Sequence, residues 1–138
     1  MINENELVSW ALEARKSAYA PYSHWTVGAA LLTEDGTVYK GCNIENAAYT
    51  PTNCAERTAF FKAVSEGERA FAAIAIVGGH EGTEPESICA PCGVCRQVMM
   101  EFCDPETFRI ILGTKDGVQV SRTLAQMLPY GFGPENLK

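Results

Sequence analysis

The chain has 138 residues, 46% of them hydrophobic, and a formal charge of −6 from 11 Lys plus Arg against 17 Asp plus Glu. This length suits one domain spanning residues 1–138, large enough to bury a core without covalent staples. An acidic chain without a basic run is poorly suited to electrostatic capture of nucleic acid or an anionic membrane, which leaves a small molecule or a second copy as the expected partner.

The opening Met1-Ile2-Asn3-Glu4-Asn5-Glu6 lacks the basic and apolar regions of a signal peptide, and no later stretch is long and apolar enough to span a bilayer. A cytoplasmic setting is the default expectation. Leu7, Val8, Ala11 and Leu12, with Asn3 or Asn5 as cap, predict a first helix up to about Ala18, stopped by Pro21. Trp25 to Thr33 reads as a strand. Asp35-Gly36 is a hairpin signal, and Thr37 to Cys42 returns as a second strand. Residues 43–53 read as an irregular loop. From Cys54 to Glu66, Ala55, Ala59, Phe60, Ala63 and Val64 recur at helical spacing, and Gly67 stops the run.

Phe71 to Val77 is short and continuously apolar, as in a buried central strand. Gly78 to Ala90 reads as a loop. Pro91 precedes a helical pattern from Cys92 to Phe102. Phe108 to Leu112 is another strand, Lys115-Asp116-Gly117 turns into a short fifth, and Ser121 is placed to cap a last helix ending before Pro129. The order α-β-β-α-β-α-β-β-α predicts the α/β class. Its simplest form is a three-layer α-β-α sandwich around a mixed sheet of about five strands.

Six cysteines are present: Cys42, Cys54, Cys89, Cys92, Cys95 and Cys103. In a cytoplasmic chain, clustered cysteines suggest metal or catalysis before disulfides. Two loops each lead into a helix with cysteine at its start: Thr52-Asn53-Cys54-Ala55-Glu56-Arg57 and Pro91-Cys92-Gly93-Val94-Cys95-Arg96-Gln97. Three thiolates occupy three corners of a zinc tetrahedron and leave the fourth open, which is the catalytic type of site. A glutamate beside it can take a proton from water. Glu56 lies two positions after Cys54, so the two do not stack on one helix face. That spacing suits a carboxylate beside the metal rather than a ligand on it. Helix N-termini favour thiolate, and Arg57 is expected to draw charge from the sulfurs by hydrogen bonding, whereas Arg96 fits a surface or structural role equally well. Cys89, Cys92 and Cys95 form two overlapping C-x-x-C pairs. Cys89 precedes Pro91, outside the helix, and ranks as spare. Cys42 and Cys103 fit buried packing.

The C-x-E and P-C-x-x-C pair resembles the signature of the zinc nucleoside deaminases, the general example of this chemistry. With Cys54 in the first slot, it is similar to the three-cysteine variant. Ala20-Pro21-Tyr22-Ser23, Val27-Gly28-Ala29-Ala30, Gly41-Cys42-Asn43-Ile44-Glu45-Asn46, Cys54-Ala55-Glu56-Arg57-Thr58-Ala59, the Pro91–Gln97 segment and Leu128-Pro129 with Phe132 all resemble the small homotetrameric cytidine deaminases, in order along the chain. The resemblance implies hydrolytic deamination of cytidine and 2′-deoxycytidine to the uridine products, with release of ammonia, in pyrimidine salvage. It implies one Zn²⁺ per chain on Cys54, Cys92 and Cys95, with Glu56 as proton shuttle. It also implies that Asn43 and Glu45 hold the ribose hydroxyls, with Glu45 on the 3′-OH. Ala55 reads the pyrimidine through its backbone, Trp25 packs on the base and Phe132 reaches a neighbouring subunit's site. Trp25 stands where the family usually carries Phe, which keeps a flat apolar face but changes pocket volume. Taken alone, Asn43 fits a turn, Glu45 a solvated loop charge and Trp25 ordinary core.

Overall fold

A computed structural model of the chain describes residues 2–138. The elements are α1 (Glu4–Arg15), β1 (Trp25–Thr33), β2 (Val38–Cys42), α2 (Ala55–Ser65), β3 (Phe71–His80), α3 (Gly93–Phe102), β4 (Arg109–Thr114), β5 (Gly117–Thr123) and α4 (Leu124–Met127), followed by a 3-10 turn at Pro134–Leu137. The strands form one sheet in the order β2-β1-β3-β4-β5. Only β3 and β4 run parallel, so the sheet is mixed.

Strand alternation divides the core into two layers. On one face Ala29, Leu31, Ile74, Ile76, Ile110 and Leu112 pack beneath α2 and α3, against Ala59, Phe60, Met99 and Cys95. On the other face Ala30, Leu32, Ala73, Ala75, Val77 and Ile111 meet Leu7, Val8 and Ala11 of α1. The expected three-layer sandwich is therefore present, with α2 and α3 on the same side. Their N-termini carry the two cysteine motifs, so this arrangement allows the motifs to meet.

Close approach seats α2. A Cβ at Gly41 of β2 would lie 2.4 Å from the Ala55 carbonyl oxygen and 2.5 Å from the Ala59 nitrogen. Only glycine lets the first turn of α2 rest on the strand at this depth. Gly28 does the same for α1, where a Cβ would meet the Ala11 carbonyl oxygen at 2.1 Å.

Several boundaries differ from the sequence reading. The first helix ends at Arg15 and not near Ala18, and Asn3 rather than Asn5 is its cap, accepting from the Glu6 amide at 2.8 Å. Residues 16–18 close through i→i−3 bonds, because Tyr19 leaves the helix path to donate its amide to the Asn43 carbonyl. β3 runs three residues past Val77: Gly78, Gly79 and His80 pair with Val27, Thr26 and Trp25. Glycines that read as a loop are held in the sheet by β1 and by Arg15, which donates to the carbonyls of Thr26, His80 and Thr83. Ser121 does not cap the last helix. It lies inside β5 opposite Ile111, and Thr123 is the cap, with Gln126 completing a reciprocal capping box.

Candidate active site

Cys54 and Cys92 occupy the same structural position on two helices. Each is the extended N-cap residue, of α2 and α3 respectively, and Cys95 lies one turn into α3. The three sulfurs all lie within 4.8 Å of one another, with Cys54 to Cys92 at 3.9 Å and Cys92 to Cys95 at 3.5 Å. Ligands at about 2.3 Å from a tetrahedral zinc stand about 3.8 Å apart, close to the separations of Cys92 from Cys54 and from Cys95. All six cysteines are free thiols. The donor set is thus a Cys₃ site for one Zn²⁺ per chain.

The local charges favour this use. The neighbouring Cys95 thiol and then Arg57 favour the charged form of Cys54 and bring its thiol down to about 5. Cys95 is pushed in the opposite direction by sharing its proton with Cys54 and by burial. Arg57 donates from Nη2 to Cys54 Sγ at 3.3 Å. Burial works against the Arg57 charge, but the Cys54 and Cys95 sulfurs outweigh it and raise its pKa. Its Nε is buried without a hydrogen-bond partner, the single such side-chain atom among the described residues. The guanidinium charge is therefore directed at the sulfurs.

Glu56 is the second residue of α2 and is 4% exposed. Burial, with the Cys54 charge adding to it, pushes its carboxyl up to about 7. A carboxyl poised there can accept a proton near neutral pH and return it.

Cys54, Cys92 and Glu56 line a cavity of about 330 Å³ together with Trp25, Asn43, Glu45 and Ala55. That volume falls within the range of small-molecule sites. Asn43 Oδ1 accepts from the Val27 amide at 2.9 Å, and its Nδ2 donates to the Trp25 carbonyl at 2.8 Å. One N–H of that amide is left over for a ligand. Glu45 accepts at Oε1 from the amides of Tyr22 and Ser23, at 3.0 and 3.1 Å, and at Oε2 from the Ser23 hydroxyl. The Trp25 ring forms a wall, its edge set by His80 with centroids 4.9 Å apart. Ala55 is fully buried in the first turn of α2, where backbone N–H groups have no intrahelical acceptor.

Phe132 does not line this cavity. It is 57% exposed, and its carbonyl is held by Gln97 Nε2 at 2.8 Å. Arg96 is a structural clamp that donates to the carbonyls of Pro91 and Met127. Cys103 packs in the core beneath α3, whereas Cys42 is only half-buried in β2. Cys89 lies outside the sulfur cluster but lines the cavity, with its thiol pushed up by burial. Ser23 also lines the cavity, and the sequence reading assigned it no role. The signal was its place at the end of the Ala20-Pro21-Tyr22-Ser23 motif already singled out. A larger cavity of about 450 Å³ between α1 and residues 81–85 contains Arg15, whose guanidinium is taken up by backbone carbonyls.

Residues 1–111 match the family described as the cytidine and deoxycytidylate deaminase zinc-binding region. The chain is 51% identical over 132 residues to the cytidine deaminase of Sporosarcina psychrophila, covering 96% of this chain and 93% of that one. It is 32% identical over 130 residues to the blasticidin-S deaminase of Bacillus cereus, covering 92% and 90% respectively. The crystal structure of cytidine deaminase from Burkholderia pseudomallei superposes with a TM-score of 0.84 at 47% identity, over 95% of this chain and all of that one. A Cys₃ site at paired helix starts, a buried glutamate beside it and these likenesses together place the chain in the cytidine and deoxycytidylate deaminase zinc-binding family.

Proposed function

We propose that the chain hydrolytically deaminates cytidine and 2′-deoxycytidine to uridine and 2′-deoxyuridine, releasing ammonia, in pyrimidine salvage. On this reading it works in the cytoplasm as a homotetramer of single-domain subunits spanning residues 1–138. The observation that carries the proposal is the shared cavity. Cys54 and Cys92 of the sulfur cluster and the Glu56 carboxyl, pushed up to about 7, line the same cavity as Asn43 and Glu45 with their free valences.

Cys54, Cys92 and Cys95 would hold the zinc, which would supply the Lewis acidity that makes water a nucleophile near neutral pH. Glu56 takes the proton from the attacking water and passes it to N3 of the base, which makes C4 more electrophilic. It then takes the second proton, from the hydroxyl now bonded to C4, and delivers it to the leaving amine, so water and cytidine become uridine and ammonia with no net proton change. The Ala55 N–H reads the pyrimidine edge, and Trp25 packs on the ring face. The remaining Asn43 N–H donates to the sugar while Glu45 accepts from the 3′-OH. Phe132, exposed on its own subunit, completes the site of a neighbour.

The test is zinc analysis of the purified chain together with the fall in cytidine absorbance. One zinc per chain with turnover of cytidine and 2′-deoxycytidine is expected. Turnover of blasticidin S with cytidine untouched would favour the antibiotic deaminases, the reading that the Bacillus cereus relative raises. A zinc-free chain with a reducible Cys92–Cys95 disulfide would replace the enzyme with a thiol-redox module.

A further inference from the structure

We propose that Ser23 is a positioning residue for the sugar. It aims the one free lone pair of Glu45 into the cavity and couples that carboxylate to the wall bearing Trp25. This rests on the sugar-binding role assigned to Glu45.

A carboxylate offers about four acceptor sites, two on each oxygen. Both on Glu45 Oε1 are taken, by the amides of Tyr22 and Ser23. One on Oε2 is taken by the Ser23 hydroxyl. The site left for a ligand is therefore on Oε2, beside that hydroxyl. Without Ser23 Oγ, Oε2 has no tether, and the carboxylate can swing about the two amides that hold Oε1.

Ser23 Oγ has a second bond. It accepts from the Trp25 amide at 3.0 Å. Trp25 opens β1, and its carbonyl receives Asn43 Nδ2. One hydroxyl therefore links the sugar acceptor, the ring wall and, through the strand backbone, the sugar donor. The turn that presents Ser23 is itself fixed. His24 is left-handed at φ 57°, and its amide donates to the Ala20 carbonyl at 3.0 Å. The Ser23 hydroxyl is also the largest influence holding the Glu45 carboxyl below its usual range, so the acceptor stays ionised.

The experiment measures Ser23→Ala, Ser23→Thr and Glu45→Ala with cytidine and with 2′,3′-dideoxycytidine, which lacks the hydroxyl that Glu45 would bind. Zinc content and thermal unfolding are read on each variant. Ser23→Ala should raise KM for cytidine roughly fivefold to tenfold with little change in kcat, as expected from the typical net contribution of one hydrogen bond. Ser23→Thr should restore most of the loss, and 2′,3′-dideoxycytidine should not distinguish Ser23→Ala from the parent. An equal loss on both nucleosides would overturn the inference, because Ser23 would then act on pocket shape alone. So would an unchanged KM in Ser23→Ala when Glu45→Ala raises it. An unchanged KM in Glu45→Ala would overturn the underlying sugar assignment instead. If Ser23→Ala does not accumulate as folded protein, Ser23→Cys replaces it, keeping the size but donating weakly.

Discussion

Gly41→Ala tests how the reaction centre is held, from a residue that touches no ligand. The added Cβ would stand 2.4 Å from the Ala55 carbonyl oxygen, 2.5 Å from the Ala59 nitrogen and 3.0 Å from the Ala59 Cα. All three are backbone atoms, so no side chain can rotate aside. Moving from 2.4 Å to an ordinary contact of 3.4 Å displaces the start of α2 by about 1 Å. Cys54 and Glu56 travel with it, whereas Cys92 and Cys95 stay on α3. Overpacking against rigid backbone costs about 3 kcal/mol, the upper end of its usual range, which lowers Tm by roughly 10 °C in a chain of this size. A shift of about 1 Å at reacting groups costs on the order of 10²-fold in kcat/KM. Gly36→Ala is the control. Its φ of +96° makes alanine strained, but nothing lies within 4 Å of the new Cβ, so stability falls and the site is untouched. Steady-state kinetics, zinc content and thermal unfolding are read on both variants. A Gly41→Ala protein within about threefold of the parent in kcat/KM and about 2 °C in Tm would refute the claim that this contact seats α2.

Glu56→Ala should keep zinc and a folded chain yet lose at least about 10²-fold in kcat, and near-normal turnover would remove Glu56 from proton transfer. Cys95→Ala should reduce bound zinc while Cys89→Ala leaves it at one per chain. Zinc loss from Cys89→Ala, with Cys95→Ala unaffected, would mean the wrong C-x-x-C pair was chosen. Phe132→Ala subunits, inactive alone, should recover roughly a quarter of parental activity when reassembled with equal Glu56→Ala subunits, because each intact centre then borrows Phe132 from a neighbour in half of cases. No recovery in demonstrably mixed oligomers would confine Phe132 to its own chain.

Much of the site was legible before any coordinates, and for a local reason. Cys54 and Cys92 precede helices whose apolar periodicity and flanking residues are short-range features, so their N-cap positions follow from neighbouring residues alone. The strands of the hairpin and the apolar run at Phe71 could be read in the same way. The capping error at Ser121 was a competition between two plausible caps. It was decided by the β4–β5 register, which keeps residue 121 extended. The extension of β3 through Gly78 and Gly79 had no local signal, because glycine disfavours a strand unless neighbours hold it.

The sequence by itself determined which residues could do chemistry: three thiolates at helix starts, an acid two positions past the first, and an arginine beside it. Only the tertiary structure decided that they converge. The strand order β2-β1-β3-β4-β5 puts α2 and α3 on one face, which brings sulfurs 38 residues apart in sequence to 3.9 Å. It also decided that Glu56 is buried enough to titrate near 7, and that Glu45 has one lone pair left and Ser23 to aim it. Burial and hydrogen-bond valence are properties of groups packed from distant parts of the chain, and no local pattern encodes them.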